Sequence, residues 1–454
     1  MADVLPGLGR GVPSQPAKVN EPLRTQTYTP IQPTIQSPIQ SPTPIQPIQP
    51  TVNRDSPVDS IESAWTSYTA HLNKWFFKPD IEAVRIVLSV AAAQFHKSCD
   101  PVWLMVLGPS SGDKTSICIN SLLDIPNVHM KGDLTPKTFL SGYTGTANAS
   151  LLHQISNGIL AFKDFTTMGS KRAEDQAEIA AQLREIYDGS FVKDTGKGNP
   201  ISWKGKLTVI AAATVQFESK WAARRDLGER FIQVRIARKD GVEQGERAQR
   251  QRGFEEHITK TTRNLAREFF QATPPIINPP PKLSTHQMRR VAAMSEIVSH
   301  CRGVVSRNQY SGAIDEIPSV ENSGRMSKEL GSLIANHAAL FRKETIDESD
   351  MGIGRRVALD CIPHKRAGVL EHIPLNGTIG TDQLRLLVGL PESTMGYIIG
   401  DLEALGALRV VHNSVIANEV SLTPLIQQLW AQAFDPLSQI PEGQVAPPVI
   451  QDCP

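Results

Sequence analysis

The sequence predicts an α/β fold in which a parallel sheet is flanked by helices, followed by a helical region and a small C-terminal unit. Three short apolar runs, at residues 102–107, 158–162 and 207–214, have strand length and consist mainly of aliphatic residues. Such runs are typical of strands buried on both faces. Segments with helical periodicity separate the runs, as the crossover connections of a parallel sheet require.

Composition narrows the class of protein. The chain has 454 residues and a formal net charge of +1, so a nucleic-acid surface would have to come from local clustering of basic residues. The five cysteines contain no C-x-x-C pair, which argues against a zinc site and suits a reducing cytoplasm. We see no signal peptide and no apolar run of transmembrane length, so we expect a cytoplasmic protein without membrane contact.

The N-terminal segment, residues 1–57, is Pro/Gln-rich and carries a drifting IQP/IQSP repeat. We expect it to be a disordered tail, because it cannot bury enough apolar surface to offset the entropy of ordering. It could also dock a partner, such as a replication protein. From residue 58 the composition becomes globular, and two helical segments, at about 60–77 and 80–96, lead into the first strand.

The segment GPSSGDKTS follows this strand and precedes a helical segment at 117–123. A strand, a loop of small residues, Lys-Thr and a helix form the context of a phosphate-binding loop, in which backbone N–H groups and the helix N-terminus hold the phosphates. Lys114 would reach the β- and γ-phosphates, and Thr115 would bind Mg²⁺. The residues predicted to bind nucleotide are Gly108, Pro109, Ser110, Ser111, Gly112, Asp113, Lys114, Thr115 and Ser116.

This loop departs from the G-x-x-x-x-G-K-[ST] pattern at one position. Asp113 occupies the place of the second glycine, and the glycine stands one residue earlier, at Gly112. A carboxylate repels phosphate, and a Cβ disfavours a positive φ, although Asp tolerates that conformation better than most residues. The alternative is an ordinary strand-to-helix turn. We expect nucleotide binding and leave efficient hydrolysis open.

The next strands supply an acidic residue. Residues 128–130 predict a second strand, residues from 135 a short helix, and residues 151–156 another helix. Asp164 then follows the apolar run 158–162, about 50 residues after the loop, where a Walker B carboxylate acts on Mg²⁺ directly or through water. It is a single acid, flanked by Lys163 and Phe165. The alternative is a strand-end Asp that caps the following turn.

A basic region follows. Residues 174–187 predict a helix, and FVKDTGKGNPISW predicts a β-hairpin before the strand that ends at Thr214. Between residues 191 and 250 there are 13 Lys and Arg residues against 7 Asp and Glu residues, a local excess of 6 in a nearly neutral chain.

The C-terminal half is predicted to be mainly helical. A Pro-rich linker near 273–282 separates the core, residues 58–272, from three helices within residues 283–365, at 285–306, 324–342 and 349–360. Residues 366–430 fit a winged helix-turn-helix with helices at 381–388 and 394–405 and two short strands. Its presumed recognition helix has no Lys or Arg, which favours a protein contact or a structural role over reading a duplex. Residues 431–454 form a tail.

The order of these parts resembles an AAA+ P-loop ATPase of phages and mobile elements, related to the superfamily 3 and minichromosome-maintenance helicases. The resemblance covers about residues 60–365. It depends on GPSSGDKTS, ILAFKDF, the hairpin FVKDTGKGNPISW, LTVIAAAT, LGERF and the lid stretch GRMSKELGSLIANHAALF.

The resemblance implies an enzyme that hydrolyses ATP with Mg²⁺ as a hexameric ring acting on single-stranded or forked DNA. Lys193 and Lys197 of the hairpin would contact the DNA backbone, Thr214 would help to place the attacking water, and Arg230 would be the arginine finger of a neighbouring subunit. Arg325 would be the sensor 2 arginine. The lysines and arginines have plainer alternatives. The lysines could simply be solvated, and Arg325 could be an ordinary residue at a helix start. Arg230 could form a surface ion pair with Glu229 or Asp226, and Arg224 and Arg225 compete with it for the finger role.

Two functions of different classes follow, and a third is weaker. The first is a DNA helicase or translocase motor in phage or mobile-element replication. The second is a nucleotide-dependent loader or switch that hydrolyses ATP slowly and recruits a replication protein. The third, a winged-helix transcription regulator with a vestigial ATPase, lacks basic reading residues.

Overall fold

The fold is taken from a computed structural model, which describes residues 59–96, 100–140, 150–155, 157–194, 200–217, 230–272, 279–308, 310–316, 318–412 and 418–434. The N-terminal tail, Lys197, the Arg224–Arg225 pair and the tail after residue 434 lie outside the described residues.

A sheet of five parallel strands forms the centre of the structure, in the order β2-β3-β6-β1-β7. The strands are β1 (Trp103–Gly108), β2 (Val128–Lys131), β3 (Gly158–Phe162), β6 (Leu207–Thr214) and β7 (Phe231–Arg235). Helices pack on both faces. The predicted α/β fold with a parallel sheet flanked by helices is therefore confirmed.

The two faces of the sheet bury different side chains, because successive residues of a strand point to opposite sides. On one face Leu104, Val106 and Ile210 join a cluster with the N-terminal helices and with the helices after the sheet. On the other face Met105, Leu107 and Val209 join a second cluster. Burial on both faces explains why the strands read as continuous apolar runs in the sequence.

The helices that precede or interrupt the sheet in the described part of the chain are α1 (Asp59–Trp75), α2 (Ile81–Phe95), α3 (Leu151–Ile155) and α4 (Ala173–Tyr187). Asp80 is the N-cap of α2 and accepts a hydrogen bond from the backbone N–H of Ala83. These bounds agree closely with the predicted helical segments.

Between α4 and β6 lies an antiparallel hairpin, β4 (Ser190–Lys193) and β5 (Ile201–Lys204). Phe191 pairs with Trp203 across it, and both side chains are buried in the second cluster. The predicted hairpin is confirmed, while its turn, residues 195–199, lies outside the described residues.

The helices that follow the sheet are α5 (Gly241–Gln251), α6 (Glu255–Ala272), α7 (Thr285–Arg302), α8 (Gly324–Leu340) and α9 (Glu348–Asp360). The last three match the three predicted helices, although α7 ends at Arg302. Helix α9 ends against the edge strand β7, where the Asp360 carboxylate accepts a hydrogen bond from the Arg235 backbone N–H at 2.9 Å. The edge strand is thereby covered on that side.

The C-terminal unit contains helices α10 (His364–Glu371), α11 (Thr381–Val388), α12 (Glu392–Ala404) and α13 (Pro424–Phe434). Its three-stranded antiparallel sheet has the order β8-β10-β9, with β8 (Ile379–Gly380), β9 (Leu408–Val411) and β10 (Glu419–Leu422). The sequence predicted only the last two strands, because a two-residue strand has no periodicity to detect.

One local prediction was wrong, and a second was right about a helix but not about its start or its type. The segment from Thr135 is a turn and not a helix, because Thr135 and Thr138 hydrogen-bond to each other across it and leave no regular helical ladder. After the loop, the expected helix at 117–123 begins earlier, as a π-helix at Lys114–Ile119, and continues as a 3₁₀-helix at Asn120–Leu122. Irregular turns of this kind often occur at functional sites.

None of the described helices combines the length and the apolar character needed to cross a bilayer.

Glu329 of α8 is a buried carboxylic acid. Its Oε1 accepts a hydrogen bond from the Tyr187 hydroxyl at 2.5 Å, and Arg302, Arg325 and Glu321 are its charged neighbours. Burial raises the pKa of Glu329 to about 8, against the lowering effect of Tyr187 and the arginines. At neutral pH this side chain is therefore mostly protonated.

This raised pKa predicts a pH-dependent stability. The folded state binds the Glu329 proton more tightly than the unfolded state, so the resulting stabilisation is complete below the unfolded pKa and is lost as pH rises through about 8. Between pH 5 and 8 the parent should lose up to about 1.4 kcal/mol per pH unit relative to Glu329→Gln. Urea unfolding at several pH values measures this, with the exposed Glu268→Gln as control. Parallel curves for parent and Glu329→Gln would contradict the prediction.

Candidate functional site

The carboxyl ends of β1, β3 and β6 meet at one edge of the sheet. Gly108 at the end of β1 pairs with Thr214 at the end of β6, and β6 lies between β1 and β3. The strands β2, β3 and β6 lie on one side of β1 and β7 lies on the other, so the strand order reverses at β1. The crevice at such a switch point is where open α/β sheets bind ligands.

The loop after β1 has an unusual backbone. Ser111 and Asp113 both have positive φ values, 59° and 64°. The Gly112 N–H donates to the Pro109 carbonyl at 3.1 Å and closes the turn between them. A Cβ on Gly112 would lie 2.8 Å from that carbonyl oxygen, so only glycine fits there. The expected glycine requirement has thus moved one residue earlier.

The Lys114 ammonium is buried inside this loop. Its Nζ donates to the carbonyl oxygens of Gly108, at 3.0 Å, and Pro109, at 2.5 Å. Burial lowers the pKa of Lys114, while the negative charges of Asp164 and Asp113 oppose the shift. The lysine is therefore a desolvated cation held next to the loop's backbone, at the carboxyl edge of β1.

Asp164 follows β3, which β6 separates from β1, and it lies close to Thr115. The Thr115 hydroxyl donates to the Lys163 carbonyl at 3.2 Å, which brings it next to Asp164. One Asp164 oxygen accepts from the Thr166 N–H at 2.8 Å, so the turn-capping role is present. The Asp164 side chain is nevertheless exposed, so a cation can still approach the carboxylate from solvent.

Thr166 connects this carboxylate to Thr214. The Thr166 hydroxyl accepts from the Thr214 backbone N–H at 3.1 Å and lies 3.4 Å from the Thr214 hydroxyl. The ends of β3 and β6 are thus joined by a chain of hydroxyl groups. The structure brings together Lys114, Thr115, Asp164 and Thr214, which the sequence assigned to one site.

Asp113 has a partner that the sequence did not indicate. Its carboxylate lies 2.6 Å from the Lys239 ammonium, and the two side chains are only 15% and 11% exposed. Lys239 comes four residues after β7 and directly before the N-cap of α5, Asp240. Gln244 of α5 also donates to the Ser111 carbonyl at 3.0 Å. The loop is therefore braced from the β7 side.

Arg230 and Arg325 lie at the opposite end of the parallel strands, where β1 and β7 begin. Arg230 precedes β7, whose first residue pairs with Trp103 at the start of β1. The six residues of β1 separate that edge from the loop by roughly 20 Å. Burial, and then the charge of Arg325, lower the pKa of Arg230, which indicates that the two guanidinium groups are neighbours. Neither arginine meets Lys114 within one chain.

Both arginines have other contacts at this edge. The Arg230 guanidinium lies 5.6 Å from the Tyr187 ring centroid and 3.7 Å from the Asp188 carboxylate. Arg325 lies 3.4 Å from Glu321. The alternative considered for Arg230, a surface ion pair with Asp226 or Glu229, concerns residues outside the described ranges.

Lys193 and Lys197 of the β4–β5 hairpin are the two lysines predicted to contact nucleic acid. The Lys193 ammonium donates to the Pro136 carbonyl at 3.3 Å, so it is not simply solvated. Lys197 lies outside the described residues.

Sequence reasoning missed three residues near the loop: Thr166, Lys239 and Gln244. Thr166 and Lys239 each follow a strand by a few residues, as Asp164 does, and this was the available signal. For Lys239 the signal could not be used, because nothing in the sequence says that β7 lies beside β1.

No protein-family model matches the chain, and no curated protein is significantly similar to it. Within the described ranges, no group of three or more His, Cys, Asp or Glu side chains could hold a metal ion by itself. A Mg²⁺ ion at Thr115 and Asp164 would therefore need oxygens from a bound phosphate or water, as is usual for this cation.

The steric limit at Gly112 gives a direct test of the loop geometry. Gly112→Ala should lower the free energy of unfolding by about 1–3 kcal/mol, because the new methyl group is forced against the Pro109 carbonyl. Gly245→Ala is the matched control, since Gly245 lies in α5 and a Cβ added there would meet no atom within 4 Å. It should be neutral or stabilising. Urea unfolding measures both, and equal free energies of unfolding for Gly112→Ala and the parent would refute this loop conformation.

Proposed function

We propose that the chain binds ATP at the loop Gly108–Ser116 and hydrolyses it with Mg²⁺. One observation carries the proposal: Lys114 and Thr115, which follow β1, lie close to Asp164 at the carboxyl ends of the strands, where the strand order reverses. Phosphate, lysine, hydroxyl and carboxylate are the elements that phosphoryl transfer requires. The Lys114 ammonium feels the charge of Asp164, which supports placing both residues in one site.

Each residue has a definite role in this proposal. When nucleotide binds, the Lys114 ammonium exchanges its hydrogen bonds to the Gly108 and Pro109 carbonyls for hydrogen bonds to phosphate oxygens. The exchange costs little solvation because Lys114 is already buried. Thr115 and Asp164 hold Mg²⁺, which would neutralise negative charge on the phosphates. Thr214, oriented by Thr166, holds the attacking water by its hydroxyl.

We further propose that the active form is an AAA+ ring, hexameric as the resemblance drawn from the sequence implies. The support is the distance between Arg230 and Lys114 on opposite edges of one sheet. In a head-to-tail ring, one subunit's arginine edge faces the next subunit's loop edge. Arg230 then stabilises charge on the γ-phosphate of its neighbour, and Arg325 lies beside it.

The nucleic-acid part of the proposal depends on the basic region around the β4–β5 hairpin. Lys193 and Lys197 would contact the backbone of single-stranded or forked DNA without reading its sequence. The C-terminal unit, which we interpret as a winged helix-turn-helix, does not add a reading surface. On α12, Asp401 is paired with Arg307, at 2.7 Å, and with Arg366, at 3.0 Å.

The second candidate is a nucleotide-dependent loader or switch with slow hydrolysis. It is favoured by the single acid at Asp164, one oxygen of which is engaged with the Thr166 N–H. A loader would recruit its replication protein through the N-terminal tail or the C-terminal unit.

Nucleotide binding is tested first by removing the phosphate-binding ammonium. Lys114→Ala should weaken ATP binding by at least about tenfold and abolish turnover, because the charge on the β- and γ-phosphates loses its nearest cation. Lys206→Met is the control: its ammonium donates to the Ala93 and His96 carbonyls at the amino edge of the sheet. Equilibrium titration with a fluorescent ATP analogue and phosphate release measure both effects. Unchanged binding in Lys114→Ala would refute the proposed site.

The ring is tested by mixing two inactive variants. Lys114→Ala and Arg230→Ala should each abolish turnover alone, whereas an equimolar mixture should regain about one quarter of the parent rate, since random assembly pairs an intact loop with an intact neighbouring arginine at that frequency. No recovery, with both variants folded and assembled, would refute the action of Arg230 in a neighbouring subunit.

The motor and the switch are separated by adding single-stranded DNA. A motor should turn over ATP faster with DNA, and its DNA binding should weaken steeply between about 50 and 200 mM salt. If DNA does not stimulate ATP turnover and a replicative helicase or polymerase copurifies with the chain, the switch is selected.

A further inference from the structure

The feature that the proposed mechanism leaves unexplained is Asp113. A carboxylate at this position adds a negative charge next to the bound phosphates, and its Cβ stands on a backbone with a φ of 64°. Non-glycine residues adopt that conformation only at an energetic cost. Something in the structure must therefore offset both the charge and the strain.

Lys239 meets both requirements. Its ammonium is 2.6 Å from an Asp113 carboxylate oxygen, in a pair that is largely removed from solvent. At such a short distance and low exposure, the attraction is much stronger than in a surface ion pair. The same contact fixes the Asp113 side chain, which holds the residue in its left-handed conformation and orients the Asp113 carbonyl. That carbonyl accepts the first helical hydrogen bond, from the Ile117 N–H at 2.8 Å.

The sheet order explains how Lys239 reaches the loop. Strand β7 is paired with β1 along its length, and the pairing continues in the hydrogen bond from the Ile236 N–H to the Leu107 carbonyl, at 2.8 Å. The chain leaving β7 therefore runs beside the chain leaving β1. Gly108 is part of this close approach, because a Cβ there would lie 3.2 Å from Ile236.

The local charge balance gives the pair its meaning. Within the segment GPSSGDKTS, Asp113 and Lys114 cancel, so the loop alone has no net charge to offer a phosphate. With Lys239 included, the balance is one positive charge, the same as in a loop with glycine at position 113. Asp80, whose carboxylate also lies near Lys239, is paired with Arg356 at 2.5 Å.

We infer that Asp113 and Lys239 form a charge-compensating pair that replaces a glycine of the phosphate-binding loop. Lys239 is a positioning residue: it acts on the nucleotide through Asp113 and the loop backbone. The inference rests on the proposed function, since it concerns the affinity of this loop for ATP.

A double-mutant cycle tests the pair, with Asp113→Asn and Lys239→Met as the single variants. Asn keeps the shape of Asp and tolerates a positive φ, so it removes the charge alone. Lys239→Met should weaken ATP binding by at least about tenfold, because it leaves an uncompensated carboxylate beside the phosphates. The double variant should regain an affinity within about threefold of the Asp113→Asn protein. Asp113→Asn itself should bind ATP at least as well as the parent.

The measurements are ATP titration and thermal unfolding without nucleotide, and the control is Lys206→Met, which removes a lysine that donates to backbone carbonyls far from the loop. A merely structural ion pair would lower the unfolding temperature of Lys239→Met and leave its ATP affinity unchanged, and this overturns the inference. Weak binding that the double variant does not restore also overturns it, because Lys239 would then contact the phosphates directly.

The outcome for the proposed function is read from different proteins. If the parent and Lys114→Ala bind ATP equally, the proposed function fails and the inference fails with it. If Lys114→Ala loses ATP binding while Lys239→Met keeps it, only the inference fails. If Lys239→Met is too unstable to assay, Lys239→Gln and its double variant with Asp113→Asn take its place in the cycle, and the same outcomes decide.

Discussion

The position of β1 between β6 and β7 is the constraint on which the site depends. Because all five strands are parallel, every residue that leaves β1, β3, β6 or β7 at its carboxyl end arrives at the same edge. The loop, Asp164, Thr214 and Lys239 come from four distant parts of the sequence and meet for this reason alone. The same geometry sends residues that precede a strand, such as Arg230, to the other edge.

Two kinds of burial hold this edge in place. Apolar contacts on both faces fix the strands, and polar contacts fix the loops between them. The polar contacts are short and largely desolvated at Lys114 and at the Asp113–Lys239 pair. A desolvated charge is costly unless it is compensated, so each of these side chains restricts where the others can lie. The loop conformation is therefore a property of the surrounding strands as much as of its own nine residues.

The sequence was a good guide wherever the signal was local. Apolar runs predicted the sheet strands, and periodicity predicted α4, α8 and α9 closely, whereas α7 ends before its predicted bound. The signal failed where the outcome depended on distant parts of the chain. The strand β8 exists only because β10 pairs with it. Lys239 could not be connected to Asp113, because the two residues are 126 apart in the sequence and their contact depends on the order of the strands. The turn at Thr135 is decided by side-chain hydrogen bonds that compete with a helix.

The C-terminal unit illustrates how packing can remove a function that a motif suggests. Helix α12 would be the recognition helix of the proposed winged helix-turn-helix, yet Arg307 lies 4.9 Å from the Tyr397 ring and is paired with Asp401. Arg366, from α10, reaches the same carboxylate from another side. Two arginines and the most central charge of α12 are thus committed to contacts within the protein itself. The proposed contact with DNA would therefore come from the basic region around the β4–β5 hairpin, through phosphates, and not from sequence reading by α12.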